Sequence, residues 1–155
     1  SWIRSDITAR SRDSVTFSNG IIFNSLSIAE LLSESSSVVF MCATAGAAIM
    51  ELAEKSFKEG DAASAVIYDA VGSETADAAI DWINTYIARE LKRKGENLTA
   101  MRFSPGYGDF ELENQRQFFE LLRLADFGVI LTDRYIFVPE KTVTAIAGIE
   151  RITSV

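Results

Sequence analysis

SVTFSNGIIFNSLSIAELLSESSSVVFMCA, residues 14–43, sets the fold class. Val15 and Phe17 alternate with hydroxyl residues, and Asn19-Gly20 supplies a preferred hairpin dipeptide, so the opening reads as a β-hairpin. Asn24 or Ser25 then caps a short helix whose Leu26, Ile28, Leu31 and Leu32 recur near helical spacing. A Ser-rich break at 35–37 precedes Val38–Ala43, an unbroken apolar run that reads as a fully buried strand. Two strands thus precede any helix, and strands, helices and further strands come in runs. That order lacks the βαβα alternation of a doubly wound fold and predicts an α+β domain with a mixed, mainly antiparallel sheet and flanking helices.

Outward from this core, residues 1–13, SWIRSDITARSRD, are polar without a clear period and begin at Ser rather than Met. The expectation is a polar N-terminal lead, trimmed at its start, with the domain occupying 14–155. In the other direction Thr44-Ala45-Gly46 turns into a helix over about 47–58, closed by Gly60. Asp61 starts a long helix over 61–93, eased at Gly72-Ser73, with Ala76, Ile80, Ile83, Ile87 and Leu91 at helical steps. Leu98–Phe103 reads as a strand and Leu112–Leu124 as a helix. Gly128–Thr132, Tyr135–Val138 and Thr142–Ile149 complete the strands.

Composition bounds the chemistry. The 155 residues, 48% apolar, suit one domain with a real core, and no apolar run is long enough to span a membrane. There is no His, which removes Ser-His-Asp and Cys-His nucleophile systems, His-ligated metals and a His general base. The single Cys, Cys42, falls in an apolar run with no basic neighbour, reads as a core residue, and fits a reducing, cytoplasmic setting. A net charge of −7 opposes binding to nucleic acid or an anionic membrane. The one basic cluster, Arg89, Lys92, Arg93 and Lys94, reads as a solvated helix end.

The segment with most chemical potential is RFSPGYGD, residues 102–109, between a strand and a helix. Gly106 and Gly108 permit backbone geometries that a Cβ forbids, and Pro105 stiffens the entry. Arg102 offers a planar fork to a carboxylate or phosphate, and Tyr107 an aromatic face. The plainer reading is an ordinary connecting loop, with Asp109 capping the next helix and Arg102 paired to a surface carboxylate. Neither GxGxxG nor GxxxxGK[ST] is present.

RFSPGYGDFELENQRQFFELL (102–122) and VPEKTVTAIAGI (138–149) resemble the reactivation domain of cobalamin-dependent methionine synthase, especially its stand-alone bacterial forms. SLSIAELLSESSSVVFMCATAGAAI (25–49) and DAVGSETADAAIDWIN (69–84) extend the likeness more weakly. The resemblance implies an S-adenosylmethionine site built on an Arg-x-x-x-Gly-Tyr motif. Arg102 would take the methionyl carboxylate, Ser104 and Gly106 backbone contacts, and Tyr107 the wall near the methyl group or corrin. Asp77 and Glu96, at positions acidic in the family, would hold the ammonium or organise Arg102. Asp77 is a methylene shorter than the Glu common in the larger enzymes. Lys141-Thr142 matches a family Lys-Ser, or else simply follows a turn at Pro139. The implied function is an accessory to reductive methylation of oxidised cob(II)alamin. Its partners would be methionine synthase modules or another corrinoid-binding protein, which holds the cobalamin, and a flavodoxin-like or other electron donor. The alternative is a docking module for a corrinoid protein without cofactor binding, anchored by Tyr107 and Phe110.

Overall fold

Strands β4 (Ser37–Thr44) and β8 (Thr142–Arg151) pair antiparallel from Ser37↔Ile149 to Thr44↔Thr142, in a computed structural model that describes residues 1–152. β1 (Trp2–Arg10), β2 (Ser14–Phe17), β3 (Ile22–Asn24) and β5 (Glu96–Leu98) complete a six-stranded sheet of order β3-β2-β1-β4-β8-β5. Every pairing is antiparallel among the described residues, which sharpens the mainly antiparallel sheet expected. β6 (Ile130–Leu131) and β7 (Phe137–Val138) form a separate ribbon.

The period-two alternation of β4 divides the core between the two sheet faces. Val38, Phe40 and Cys42 join a cluster containing Phe17, Phe23, Phe110 and Phe118, beneath α1 (Leu26–Leu31) and α4 (Gln115–Leu121). Ring centroids there lie 4.8 to 6.5 Å apart, mostly edge to face, and such pairs each add roughly 0.5–1.5 kcal/mol beyond area burial. Val39, Met41 and Ala43 meet Ala145, Ala147 and Ile149 on the opposite face, covered by Ile80, Ile87 and Leu91 of α3 (Ala62–Lys92). Cys42 is a core residue as expected, and burial pushes its thiol up to about 11.

The hairpin, the Ser25 cap, the buried strand and the Gly60 stop form as read. α2 (Ala48–Lys58) precedes that stop and packs against α3. α3 is uninterrupted at Gly72, where the missing side chain instead admits Ile49 and Lys141, 3.2 and 3.1 Å from where a Cβ would stand. The segment expected as a helix over 112–124 is divided into a single 3-10 turn (Leu112–Asn114), α4 and a second 3-10 turn (Leu124–Phe127).

Residues 1–13 depart from the expected lead. Trp2–Arg10 is an interior strand, bonded to β4 on one side and β2 on the other. Ser5 is its only buried residue, Ile7 is half-buried against the core, and Trp2 and Ile3 remain exposed, so main-chain pairing holds the strand more than side-chain burial. Phe110, expected at a docking surface, is fully buried against Phe23 and Phe118.

Gly148 tests how tightly β8 is packed. A Cβ there would run into Ser35 Oγ and sit 2.8 Å from Thr99 Cγ2. Gly148→Ala is expected to lower unfolding stability by about 1–3 kcal/mol through overpacking, measured by urea denaturation. Unchanged stability would show the site to be loose.

Candidate functional site

The path of the 98–109 segment is set by where its main chain can and cannot pair with β8. Leu98 pairs with Ile149 and the Thr99 N–H still donates to the Gly148 carbonyl at 2.9 Å, but the next paired residues are Phe103↔Ile146, so this side uses two more residues than β8 over the same span. Thr99 fills the interruption: its Oγ1 accepts the Gly148 N–H at 3.0 Å and donates to the Met101 carbonyl at 2.7 Å. The strand expected over Leu98–Phe103 is therefore broken by a bulge, which places Met101 and Arg102 at the cleft. Phe103 N–H and C=O then both bond Ile146, at 3.0 and 2.8 Å.

Beyond this bridge the chain folds on itself. Gly106 N–H donates to the Phe110 carbonyl at 2.7 Å, and Phe110 N–H to the Tyr107 carbonyl at 3.0 Å. Gly106 and Gly108 have φ of +96° and +57°, a region open to glycine at little cost. Asp109 caps a helix, but not the next one. Its carboxylate accepts from the Ser25 hydroxyl at 2.9 Å, from Leu26 N–H, and from Ser27 N–H at 3.2 Å, at the start of α1. The motif loop is thereby tied to an element more than eighty positions upstream.

A cleft of about 460 Å³ opens beside this loop. Asp77 and Ile80 of α3 form one wall, Met101–Pro105 and Tyr107 another, and Thr142–Ala145 of β8 the floor. Four of the six residues singled out in the sequence, Asp77, Arg102, Ser104 and Tyr107, meet here. Tyr107 stands at the rim, 69% exposed. Gly106 belongs to the loop behind, and its amide donor is spent on Phe110. Glu96 lies elsewhere. Both its oxygens take Arg4 nitrogens, at 2.8 and 2.9 Å, and these hydrogen bonds hold its carboxyl below the usual range. It neither faces the cleft nor touches Arg102.

Two residues, one bound to Arg102 beside the cleft and one lining it, escape the sequence reading. Arg102 Nη2 lies 2.7 Å from Asp81 Oδ1, one turn along α3 from Asp77. The plain pairing of Arg102 with a surface carboxylate is thus present within the same constellation. Gln115 Oε1 accepts the Thr144 hydroxyl at 2.6 Å, which joins the α4 start to the floor. The spacing of four between Asp77 and Asp81 was the available signal for the first; Gln115 left none.

A second hollow of about 570 Å³ lies past Ala79 and Ile83 of α3, among Trp2, Trp82, Leu124 and Phe127. It is larger but offers no charged side chain to orient a polar ligand. Binding that needs both a cation and an anion belongs to the first cleft.

Comparison with solved structures finds a similar fold. A crystal structure of the MetH reactivation domain bound to AdoHcy superimposes with a TM-score of 0.74 over 99% of this chain, at 14% sequence identity. The chain has the fold of that reactivation domain. It spans 59% of the length of that neighbour. Protein-family models and curated proteins give no match. No helix among the described residues is long and apolar enough to cross a membrane.

The Asp109 tether carries a pH signature. Hydrogen bonds from the Ser27 hydroxyl, and then, against desolvation, from the Ser25 hydroxyl and the Leu26 and Ser27 amides, lower its pKa to about 2 from 3.8. A carboxylate with a depressed folded-state pKa stabilises the fold above its unfolded pKa and loses that contribution as pH falls through the folded one. Asp109→Asn is therefore expected to be less stable than wild type at pH 7, with the gap closing from about pH 4 to about pH 2. A gap that stays constant across acid denaturation curves would contradict the tether.

Proposed function

We propose that the cleft binds S-adenosylmethionine and that the domain supports reductive methylation of an oxidised corrinoid held by methionine synthase modules or a related methyltransferase. The observation that carries this reading is the facing of Arg102 and Asp77 across one cleft, on a fold shared with a domain bound to AdoHcy. An amino-acid moiety needs a cation for its carboxylate and an anion for its ammonium, and the cleft supplies both. Ile80, Phe103, Pro105 and Val143 supply apolar wall for a nucleoside. Ser104 would add backbone contacts, and Tyr107, exposed at the rim, stands where a partner's corrin would approach.

When its holder docks, a corrinoid would supply the cobalt nucleophile, with an electron from a flavodoxin-like or other carrier, in a cytoplasmic setting. This chain's part is to bind and orient the methyl donor, an accessory role that needs no His. The docking-only alternative keeps Tyr107 as an anchor but loses Phe110 to the core.

Isothermal calorimetry with S-adenosylmethionine tests the reading. Wild type is expected to bind, and Arg102→Ala to weaken binding at least about tenfold by removing a charge-assisted hydrogen bond. Because the Arg102–Asp81 pair is partly solvated, with 33% and 65% side-chain exposure, the variant should melt close to wild type. Absence of wild-type binding, or binding indifferent to Arg102→Ala, would overturn the proposal.

A further inference from the structure

We infer that Asp81 is a charge-setting residue that makes the cleft select a sulfonium ligand over the corresponding neutral thioether. The inference rests on the cofactor reading of this cleft and concerns its ligand preference. Among the side chains lining the cleft, Arg102 and Asp77 are the ionised ones, and they balance. Asp81, bound to Arg102 at 2.7 Å, brings a second carboxylate and leaves one net negative charge at the site. Lys141, next to the floor residue Thr142, does not reverse this balance, because Asp69 pairs with it at 2.8 Å.

Asp81 does not block Arg102. It engages one terminal nitrogen, Nη2, whereas a guanidinium has five N–H donors in a planar fork, so a ligand carboxylate can use the remaining edge while Asp81 stays in place. Asp77 forms no ion pair among the described residues and is left to face the ligand's ammonium. S-Adenosylmethionine carries one net positive charge, from sulfonium and ammonium against carboxylate. S-Adenosylhomocysteine lacks the sulfonium and is a neutral zwitterion. The carboxylate and ammonium contacts are common to both, so the net negative charge acts on their difference alone. One charge acting over several ångströms in a partly solvated site is worth a several-fold change in affinity at low salt.

Calorimetry of wild type, Asp81→Asn and Asp81→Glu with S-adenosylmethionine and S-adenosylhomocysteine, at low and high salt, decides it. Wild type is expected to favour the sulfonium about fivefold at low salt, less at high salt. Asp81→Asn should bring the ratio of the two Kd values to about one, and Asp81→Glu should retain the preference. A purely structural Asp81 would shift both affinities together and leave their ratio unchanged; that result overturns the inference, as does equal binding by wild type. Binding of neither ligand by any variant would instead overturn the cofactor reading, and the preference with it.

Discussion

Two hydrogen bonds between Phe103 and Ile146 hold the candidate site together. They close the sheet's pairing again after the Thr99 bulge, and they fix the residue after Arg102 over the middle of β8. Everything the cleft does depends on this reattachment. On the near side the bulge frees Met101 and Arg102 from the ladder; on the far side the loop turns back through Gly106 and is anchored on α1 by Asp109. The site is thus built from segments distant in sequence, 77–81, 101–107, 115 and 142–145, by a sheet whose two faces are separately filled.

Much of the fold was legible because burial imposed a period. Val38–Ala43 is apolar at every position because both sheet faces are covered, and α3 shows its buried stripe from Ala76 to Leu91. β1 was illegible for the opposite reason. Ser5 alone is buried, so no side-chain alternation reports a strand that main-chain hydrogen bonds hold between β2 and β4. The break at Thr99 was equally hidden, since a hydroxyl replacing a backbone acceptor leaves the local composition unchanged.

The site divided along the same line. Arg102, Ser104 and Tyr107 stand close together in a glycine-marked loop, so local composition drew attention to them. Asp77 was reached by resemblance, and only the fold sets it against Arg102. Glu96 shows the limit of transferring positions by chain order. It is acidic and near the right strand, but β5 places it within reach of Arg4, across the sheet from the N-terminal strand that composition had set aside. Asp81 carries little signal in the sequence, because an exposed helix carboxylate acquires meaning only from the arginine that reaches it.

The absence of His fits the proposed site, in which a cation, carboxylates and a shaped wall would bind and orient a ligand. Amide ¹H–¹⁵N spectra recorded during titration with S-adenosylmethionine test directly which cleft takes the ligand. Saturable shifts should concentrate at Arg102, Ser104, Tyr107 and Thr142–Ala145, with Asp77 and Asp81 on the facing helix. Shifts confined to the hollow around Trp2, Trp82 and Phe127, or no shifts at all, would contradict the account.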